Sequence, residues 1–141
     1  TSNILDPGQL FTWHFDTNDF AVTVLVQQAD SGGLFEYAPQ IRSADNEGFE
    51  RISKILGGSR DEVTTLDLRP GDLQIFQGRH SLHQVSRVST ESCSRHSAIY
   101  AYTEEPGVIG RVERTTQLFG RVCPEHLEAE RERVRSDKLV D

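Results

Sequence analysis

The fold of this chain is indicated most clearly by residues 10–28, which have the sequence LFTWHFDTNDFAVTVLVQQ. Residues 10–15 and 20–28 have the pattern of β-strands, and the second segment is rich in the β-branched and aromatic residues that suit a buried, pleated surface. The polar cluster at 16–19 between them has the chemistry of a turn. This stretch therefore predicts two consecutive strands, with His14 and Asp16 located where the first strand ends.

Short strand patterns separated by turn residues continue along the chain. Residues 46–56 carry apolar side chains at helical spacing and are followed by two glycines, which predicts one mid-chain helix. A second helix is predicted for residues 124–138, where many charges and a thin apolar stripe favour a place on the surface or against a partner chain. Further strands are predicted at residues 34–37, 63–68, 73–76, 82–88 and 97–102.

Many short strands without β-α-β alternation predict an all-β protein with flanking helices. Among such folds we expect a double-stranded β-helix, which is a cupin-like jelly roll. The reason is that the open end of this fold brings side chains from separate strands to one metal ion. The candidate metal ligands of this chain likewise belong to separate predicted strands or their ends.

Three side chains form the candidate metal site. His14 and Asp16 are two positions apart and can point to the same side of an extended segment, and His83 lies in a later predicted strand. Two histidines and one carboxylate leave positions open on the metal, an arrangement that suits non-haem Fe(II) and oxygen chemistry. His80 and His96 are rivals of His83, and the residue alternation around position 83 does not decide between them.

Arg95 is a candidate binding residue for a carboxylate, twelve positions after His83. A guanidinium group can bind a carboxylate through two parallel hydrogen bonds, which a lysine cannot match geometrically. Ser97, two residues later, shares the same face of the strand and could add its hydroxyl to the same carboxylate. Arg87 on the preceding strand is the competing candidate.

Composition limits the partners of the protein. The net charge of −7 argues against the backbone of a nucleic acid as the natural partner. No apolar run approaches the roughly 20 residues that cross a bilayer, so no membrane partner is expected.

Cys93 and Cys123 have no metal-binding or disulfide spacing, which fits a reducing, cytoplasmic location. A homo-oligomer is among the expected assemblies.

The position of the candidate ligands also predicts how the chain is organised. The first of them is already at position 14, and the 141 residues contain no Met, so we interpret the chain as the C-terminal part of a larger protein. Residues 1–121 are expected to form the jelly-roll core, lacking an N-terminal portion. Residues 122–141 are expected to add the charged helix.

Several motifs resemble those of the Fe(II)/2-oxoglutarate-dependent oxygenases. More closely, they resemble the subgroup that contains radical halogenases and hydroxylases of free amino acids. The resemblance covers roughly positions 10 to 121. Its motifs are WHFDTN at 13–18, GLFEY at 33–37, LRPGDL at 68–73, SLH at 81–83 and ERT at 113–115.

This resemblance selects His83 over its rivals, and it implies Fe(II) on His14, Asp16 and His83 with 2-oxoglutarate on Arg95 and Ser97. Halogenases of the subgroup have a small residue in place of the carboxylate ligand, so that chloride can bind the iron. Because this chain keeps Asp16, the resemblance implies hydroxylation of an aliphatic carbon of a small, amino-acid-like substrate. The reaction would consume O2 and release succinate and CO2. The alternative is a non-catalytic, metal-binding jelly-roll module or sensor, which would not convert 2-oxoglutarate.

Overall fold

The computed structural model of the protein describes residues 1–131 and 135–140. This part of the chain is mostly β-structure with short helices. Its elements, in chain order, are β1 (Ser2–Leu5), β2 (Phe11–His14), β3 (Phe20–Gln27), β4 (Phe35–Ala38), α1 (Phe49–Leu56), β5 (Thr64–Leu66), β6 (Leu73–Phe76), β7 (Leu82–Val85), β8 (Arg95–Tyr102), α2 (Val112–Phe119) and α3 (Pro124–Ala129).

The strands form two antiparallel sheets of four strands each. One sheet has the order β1-β8-β3-β6 and the other has the order β2-β7-β4-β5. Successive strands therefore alternate between sheets along much of the chain. This all-β arrangement with short flanking helices is compatible with a jelly-roll, cupin-like sandwich. In the described part of the chain, none of the helices has the length and apolar character that a membrane span requires.

All seven strands predicted from the sequence are present, with ends that differ by a few residues. The predicted mid-chain helix is also confirmed, although it begins at Phe49 rather than at position 46. Two elements were not predicted, β1 and α2. The first has only four residues and owes its extended form to pairing with β8, in which Leu5 lies opposite Arg95. The second contains two consecutive threonines, which are weak helix formers.

The helix predicted over 124–138 was wrong in its length. The helix α3 ends at Ala129, and the described residues 135–138 are not helical. Residues 132–134 of the predicted helix lie outside the described residues. The physical reason is that charged side chains near the end of the chain contact the sandwich instead of solvent. Arg135, for example, is buried and donates a hydrogen bond to the carboxylate of Asp19 at 2.9 Å.

The core consists of two apolar clusters, and β2 contacts both. Phe11 packs against the first cluster and Trp13 against the second. His14 follows directly, at the end of β2. The first cluster contains Leu5, Ala29, Phe35, Val85 and Val88, and the second contains Ala38, Ile41, Ile55 and Leu82.

A buried ion pair connects the last described segment to the rest of the fold. Arg79 is fully buried, and its Nε and Nη2 donate to the two carboxylate oxygens of Asp137 at 2.6 and 2.8 Å. The same guanidinium also donates to the backbone carbonyl of Leu139. Leu139 itself is 1% exposed. Residues 137–139 are therefore part of the packed structure.

The Arg79–Asp137 pair predicts an acid-sensitive stability. The hydrogen bond from Arg79 is the main cause that lowers the pKa of Asp137 to about 2. Because the folded pKa lies below the unfolded value, the pair stabilises the fold above about pH 4, and this contribution is lost as the pH falls through about 2. Asp137→Asn should lower the free energy of unfolding at pH 7 by about 3 kcal/mol, since it removes the charged acceptor of two hydrogen bonds from the buried Arg79.

Urea denaturation at pH 7, 4, 3 and 2 measures this effect. The variant should lose less stability than the wild type between pH 4 and 2. Asp67→Asn is the matched control, because Asp67 is exposed and its loss should change the free energy of unfolding little. Equal stabilities of Asp137→Asn and the wild type at pH 7 would contradict the prediction.

Candidate metal centre

His14, Asp16 and His83 are brought together by the pairing of β2 with β7. His14 lies directly opposite His83 in this antiparallel ladder, and Asp16 follows β2 by two positions. Asp16 Oδ1 is 3.7 Å from His14 Nε2 and 3.5 Å from His83 Nε2. Potential ligand atoms of the three residues all lie within 4.8 Å of one another. The geometry thus collects two imidazoles and one carboxylate around one point.

Backbone carbonyls orient both imidazole rings. The Nδ1 of His14 is 2.7 Å from the carbonyl oxygen of Thr12, and the Nδ1 of His83 is 2.9 Å from that of Ser81. Since a carbonyl oxygen can only accept, each Nδ1 is assigned as the protonated donor. Each Nε2 then keeps its lone pair and faces the Asp16 carboxylate. A backbone acceptor in this position is a common support for metal-binding histidines.

The electrostatics of the site favour a neutral His14 beside an ionised Asp16. Burial, followed by the charge of His83, lowers the pKa of His14 to about 4. Burial alone would raise the pKa of the Asp16 carboxyl, but its interactions with His83, His14 and Arg114 lower that pKa below its usual value. Divalent metals bind neutral histidine and ionised carboxylate. The cluster could therefore hold a metal ion in its ordinary protonation state.

Two cavities border the cluster, and both are lined by His14 and Asp16. The larger has a volume of about 750 Å³, and its walls include Phe11, Ile109 and Leu118. The smaller has a volume of about 510 Å³ and is lined mainly by polar and charged side chains. Both volumes lie in the range of small-molecule sites. A metal on the cluster would therefore be accessible to small molecules.

Comparison with known families agrees with this site. The model of the halogenase D family matches residues 3–116, a segment that contains His14, Asp16 and His83. The chain belongs to the halogenase D family. A search of curated proteins gave no match. Membership indicates an enzyme of a halogenase-related family, which is compatible with an iron-binding oxidoreductase. The resemblance is confirmed to that extent, and the subgroup of amino-acid halogenases and hydroxylases stays a prediction.

In this halogenase D family member, Arg95 and Ser97 lie in the interior of the sandwich. Each is 4% exposed, and Arg95 Nη1 donates a hydrogen bond to Ser97 Oγ at 3.2 Å. Among the described residues, no carboxylate forms an ion pair with Arg95. Burial lowers the pKa of its guanidinium. Neither residue lines the two cavities described above.

Arg95 and the metal cluster lie beside the same apolar core cluster. Gly33 has a positive φ of 63°, and a Cβ atom added there would be 3.1 Å from Arg95 Cδ and 3.2 Å from Val88 Cγ2. Val88 belongs to the same core cluster as Phe35, and the Phe35 ring centroid is 5.8 Å from that of His83. Arg95 and His83 therefore border the same apolar core.

The competing candidates lie elsewhere. Arg87 is exposed and donates a hydrogen bond to the backbone carbonyl of Gly8. The Nδ1 of His80 is 3.3 Å from the carbonyl oxygen of Arg42, and His80 is outside the candidate metal cluster. His96 is also outside this cluster and is paired with Ile4 of β1.

Gly78 is a positioning residue that the sequence did not reveal. Its carbonyl accepts the backbone N–H of Asp16 at 3.0 Å. A Cβ atom at position 78 would collide with the Asp16 side chain, since it would lie 2.6 Å from Asp16 Cγ. Glycine is thus needed to let the carboxylate occupy its place. A lone glycine in a turn carries no sequence signal of such a contact.

Gly78→Ala should weaken metal binding because the new methyl group displaces the Asp16 carboxylate. We expect a loss of about tenfold or more in Fe(II) affinity, measured anaerobically by competition with a chromophoric chelator. Circular dichroism should show that the variant is folded. Gly57→Ala is the matched control, because Gly57 has a negative φ of −74° and caps α1 away from the site. A folded Gly78→Ala protein with wild-type Fe(II) affinity would show that Gly78 does not position the carboxylate.

Proposed function

We propose that this protein is an Fe(II)/2-oxoglutarate-dependent dioxygenase that hydroxylates an aliphatic carbon of a small, amino-acid-like substrate. The observation that carries the proposal is the convergence of the Asp16 carboxylate with Nε2 of His14 and of His83 at 3.7 and 3.5 Å. Two histidines and one carboxylate are the ligand set of non-haem Fe(II) oxygenases. Membership of the halogenase D family supports an enzyme at this site.

The strand order supports a jelly-roll scaffold for this chemistry. Strands β2 and β7, which carry His14 and His83, are neighbours in one sheet, whereas Arg95 begins β8 in the other sheet. A cosubstrate held at one end by the metal and at the other by Arg95 would therefore lie between the sheets. The two sheets of a jelly roll face each other in this way.

Each residue has a defined part in the proposed reaction. Bound Fe(II), together with 2-oxoglutarate and O2, supplies the oxidising power that an unactivated aliphatic C–H bond requires. His14, Asp16 and His83 would hold the metal, and the lowered pKa values of His14 and Asp16 fit that role. Arg95 and Ser97 would bind the far carboxylate of 2-oxoglutarate by a charge-assisted hydrogen bond and a hydroxyl contact.

Aromatic rings beside His83 would keep this part of the site dry. The Phe35 ring stacks on that of His83 at a centroid distance of 5.8 Å, and the Phe76 ring meets that of His83 edge-on at 4.9 Å. The rings of Phe35 and Phe76 are 5.1 Å apart and tilted against each other. Such packing excludes water from the space next to the metal ligand. Low water access favours reaction with the bound substrate over side reactions.

The presence of Asp16 favours hydroxylation over halogenation. The halogenases that this chain resembles leave one protein ligand position to chloride. Here an ionised carboxylate already occupies the cluster, and its charge opposes the binding of a second anion at the same point. The oxygen of the product would then come from O2.

The first experiment is an anaerobic titration of the protein with Fe(II) and 2-oxoglutarate, monitored by the visible charge-transfer absorption of the chelate. Aerobic incubation with free amino acids then measures succinate formation, and mass spectrometry identifies the product. Succinate together with a product that has gained one oxygen atom is the expected result. Binding without any succinate would indicate a metal-binding module or sensor, and a chlorinated product would overturn the assignment of hydroxylation.

A further inference from the structure

Three arginines, Arg42, Arg111 and Arg114, line the smaller cavity beside the metal cluster. Two of them are paired with glutamates. Arg42 Nε is 2.7 Å from Glu47 Oε2, and Arg111 Nη1 is 3.4 Å from Glu130 Oε1. The arginines therefore differ in how far their charges are already balanced by the protein.

Arg114 forms no close ion pair with a carboxylate of the described residues, although its charge attracts the Asp16 carboxylate at longer range. Its Nη1 donates a hydrogen bond to the side-chain oxygen of Gln117 at 2.9 Å, and this amide is neutral. The side chain is half-buried on α2, in a protein with 22 acidic and 15 basic residues. Acidic side chains are thus abundant, yet none of those described forms a close ion pair with this guanidinium, and Asp16, which attracts it, is a candidate metal ligand. An arginine of this kind beside a cavity is available to an anionic ligand.

The location of Arg114 connects it to the metal cluster. It lines the apolar cavity as well as the charged one, and His14 and Asp16 line both cavities too. Arg114 therefore borders the same space as the metal ligands. In contrast, Arg42 and Arg111 line only the charged cavity of these two.

We propose that Arg114 binds a carboxylate group of the organic substrate at the metal centre. The substrate class is then an aliphatic carboxylic acid whose hydrocarbon part extends into the apolar cavity beside Phe11 and Leu118. A guanidinium matches a carboxylate through two parallel hydrogen bonds, which fixes orientation as well as position. This inference rests on the proposed function, because it places the substrate beside the proposed catalytic metal.

The test uses Co(II)-loaded protein, whose visible absorption responds to ligands near the metal without 2-oxoglutarate. The probes are the standard aliphatic L-amino acids and their amides, which lack the carboxylate. At least one acid should shift the spectrum of the wild type, and its amide should bind far more weakly. Arg114→Gln should weaken binding of that acid by about tenfold or more. Arg121→Gln is the matched control, because Arg121 is exposed and lines neither cavity.

Affinities for Fe(II) and for 2-oxoglutarate separate this inference from the proposed function. Both should be nearly unchanged in Arg114→Gln. If 2-oxoglutarate binding falls as strongly as the amino-acid binding, Arg114 belongs to the cosubstrate site and the inference is wrong. It is also overturned if no acid shifts the wild-type spectrum, or if the amides bind as well as the acids. Failure of the wild type to bind 2-oxoglutarate would refute the proposed function but would leave the Co(II) measurement interpretable.

Discussion

Replacing His83 by alanine is expected to abolish Fe(II) binding and turnover. His83 supplies one of three potential ligands, and its Nε2 lies 3.5 Å from Asp16 Oδ1. Two remaining ligands bind a labile divalent ion far more weakly than three. Fe(II) binding is measured anaerobically, and the charge-transfer absorption with 2-oxoglutarate is recorded on the same samples. Neither signal should appear at Fe(II) concentrations that saturate the wild type.

Two further variants separate ligation from packing. His83 is buried against Phe35 and Phe76, so the alanine variant also creates a cavity that lowers stability. His83→Gln preserves most of the side-chain volume and should still lose Fe(II) binding. His80→Ala removes a histidine outside the cluster and should leave binding largely intact. Equal losses in His80→Ala and His83→Ala would show that the wrong histidine has been assigned.

Replacing Arg95 by alanine should raise the dissociation constant for 2-oxoglutarate by about 30-fold or more. The reason is that loss of one partner of a desolvated charge pair costs about 2–5 kcal/mol, and each 1.4 kcal/mol corresponds to a factor of ten. Arg95 is buried beside Ser97, where the guanidinium would be such a partner. Titration of the Fe(II) protein with 2-oxoglutarate measures the constant. Fe(II) affinity without cosubstrate should change little, since Arg95 is outside the metal cluster.

Arg87 provides the control for this prediction. It is exposed and bound to the backbone of Gly8, so Arg87→Ala should change 2-oxoglutarate binding little. Arg95→Lys keeps a positive charge but removes the planar fork, and an intermediate affinity is expected. If Arg87→Ala were the more damaging change, the assignment of the carboxylate to Arg95 would be wrong even with an intact metal site.

The strands of this protein were predictable because burial on a sheet leaves a local pattern. In β3, for example, Ala21 and Leu25 are buried while Val26 is exposed, and half of the residues are β-branched. The terminal elements left no comparable pattern. β1 is extended because it pairs with β8, which is distant in sequence, and the end of the chain is held by the contact between Arg79 and Asp137. Such tertiary contacts are not encoded in any short window of sequence.

The candidate site was only partly predictable for a related reason. His14 and Asp16 lie two positions apart, so their proximity follows from local geometry. The residue pattern left His83, His80 and His96 open, and His83 was chosen through the family resemblance. The register of β7 against β2, which places His83 opposite His14, is not visible in that pattern. Gly78 was missed because its role is to leave room for the Asp16 side chain. That requirement comes from a contact between residues distant in sequence, which a single glycine does not reveal.

The carbonyl oxygens of Thr12 and Ser81 give the two imidazoles the same kind of support, because each belongs to the residue two positions before its histidine. The acceptor is a main-chain atom, so any amino acid at position 12 or 81 supplies it. Substitution of the exposed Thr12, and of the buried Ser81 by residues of similar size, should therefore leave the orientation of the rings unchanged. The orientation of the two imidazole rings therefore depends on the backbone course of the segments before His14 and His83 more than on the side chains there. In evolutionary terms, relatives could keep this orientation while the residues at positions 12 and 81 differ.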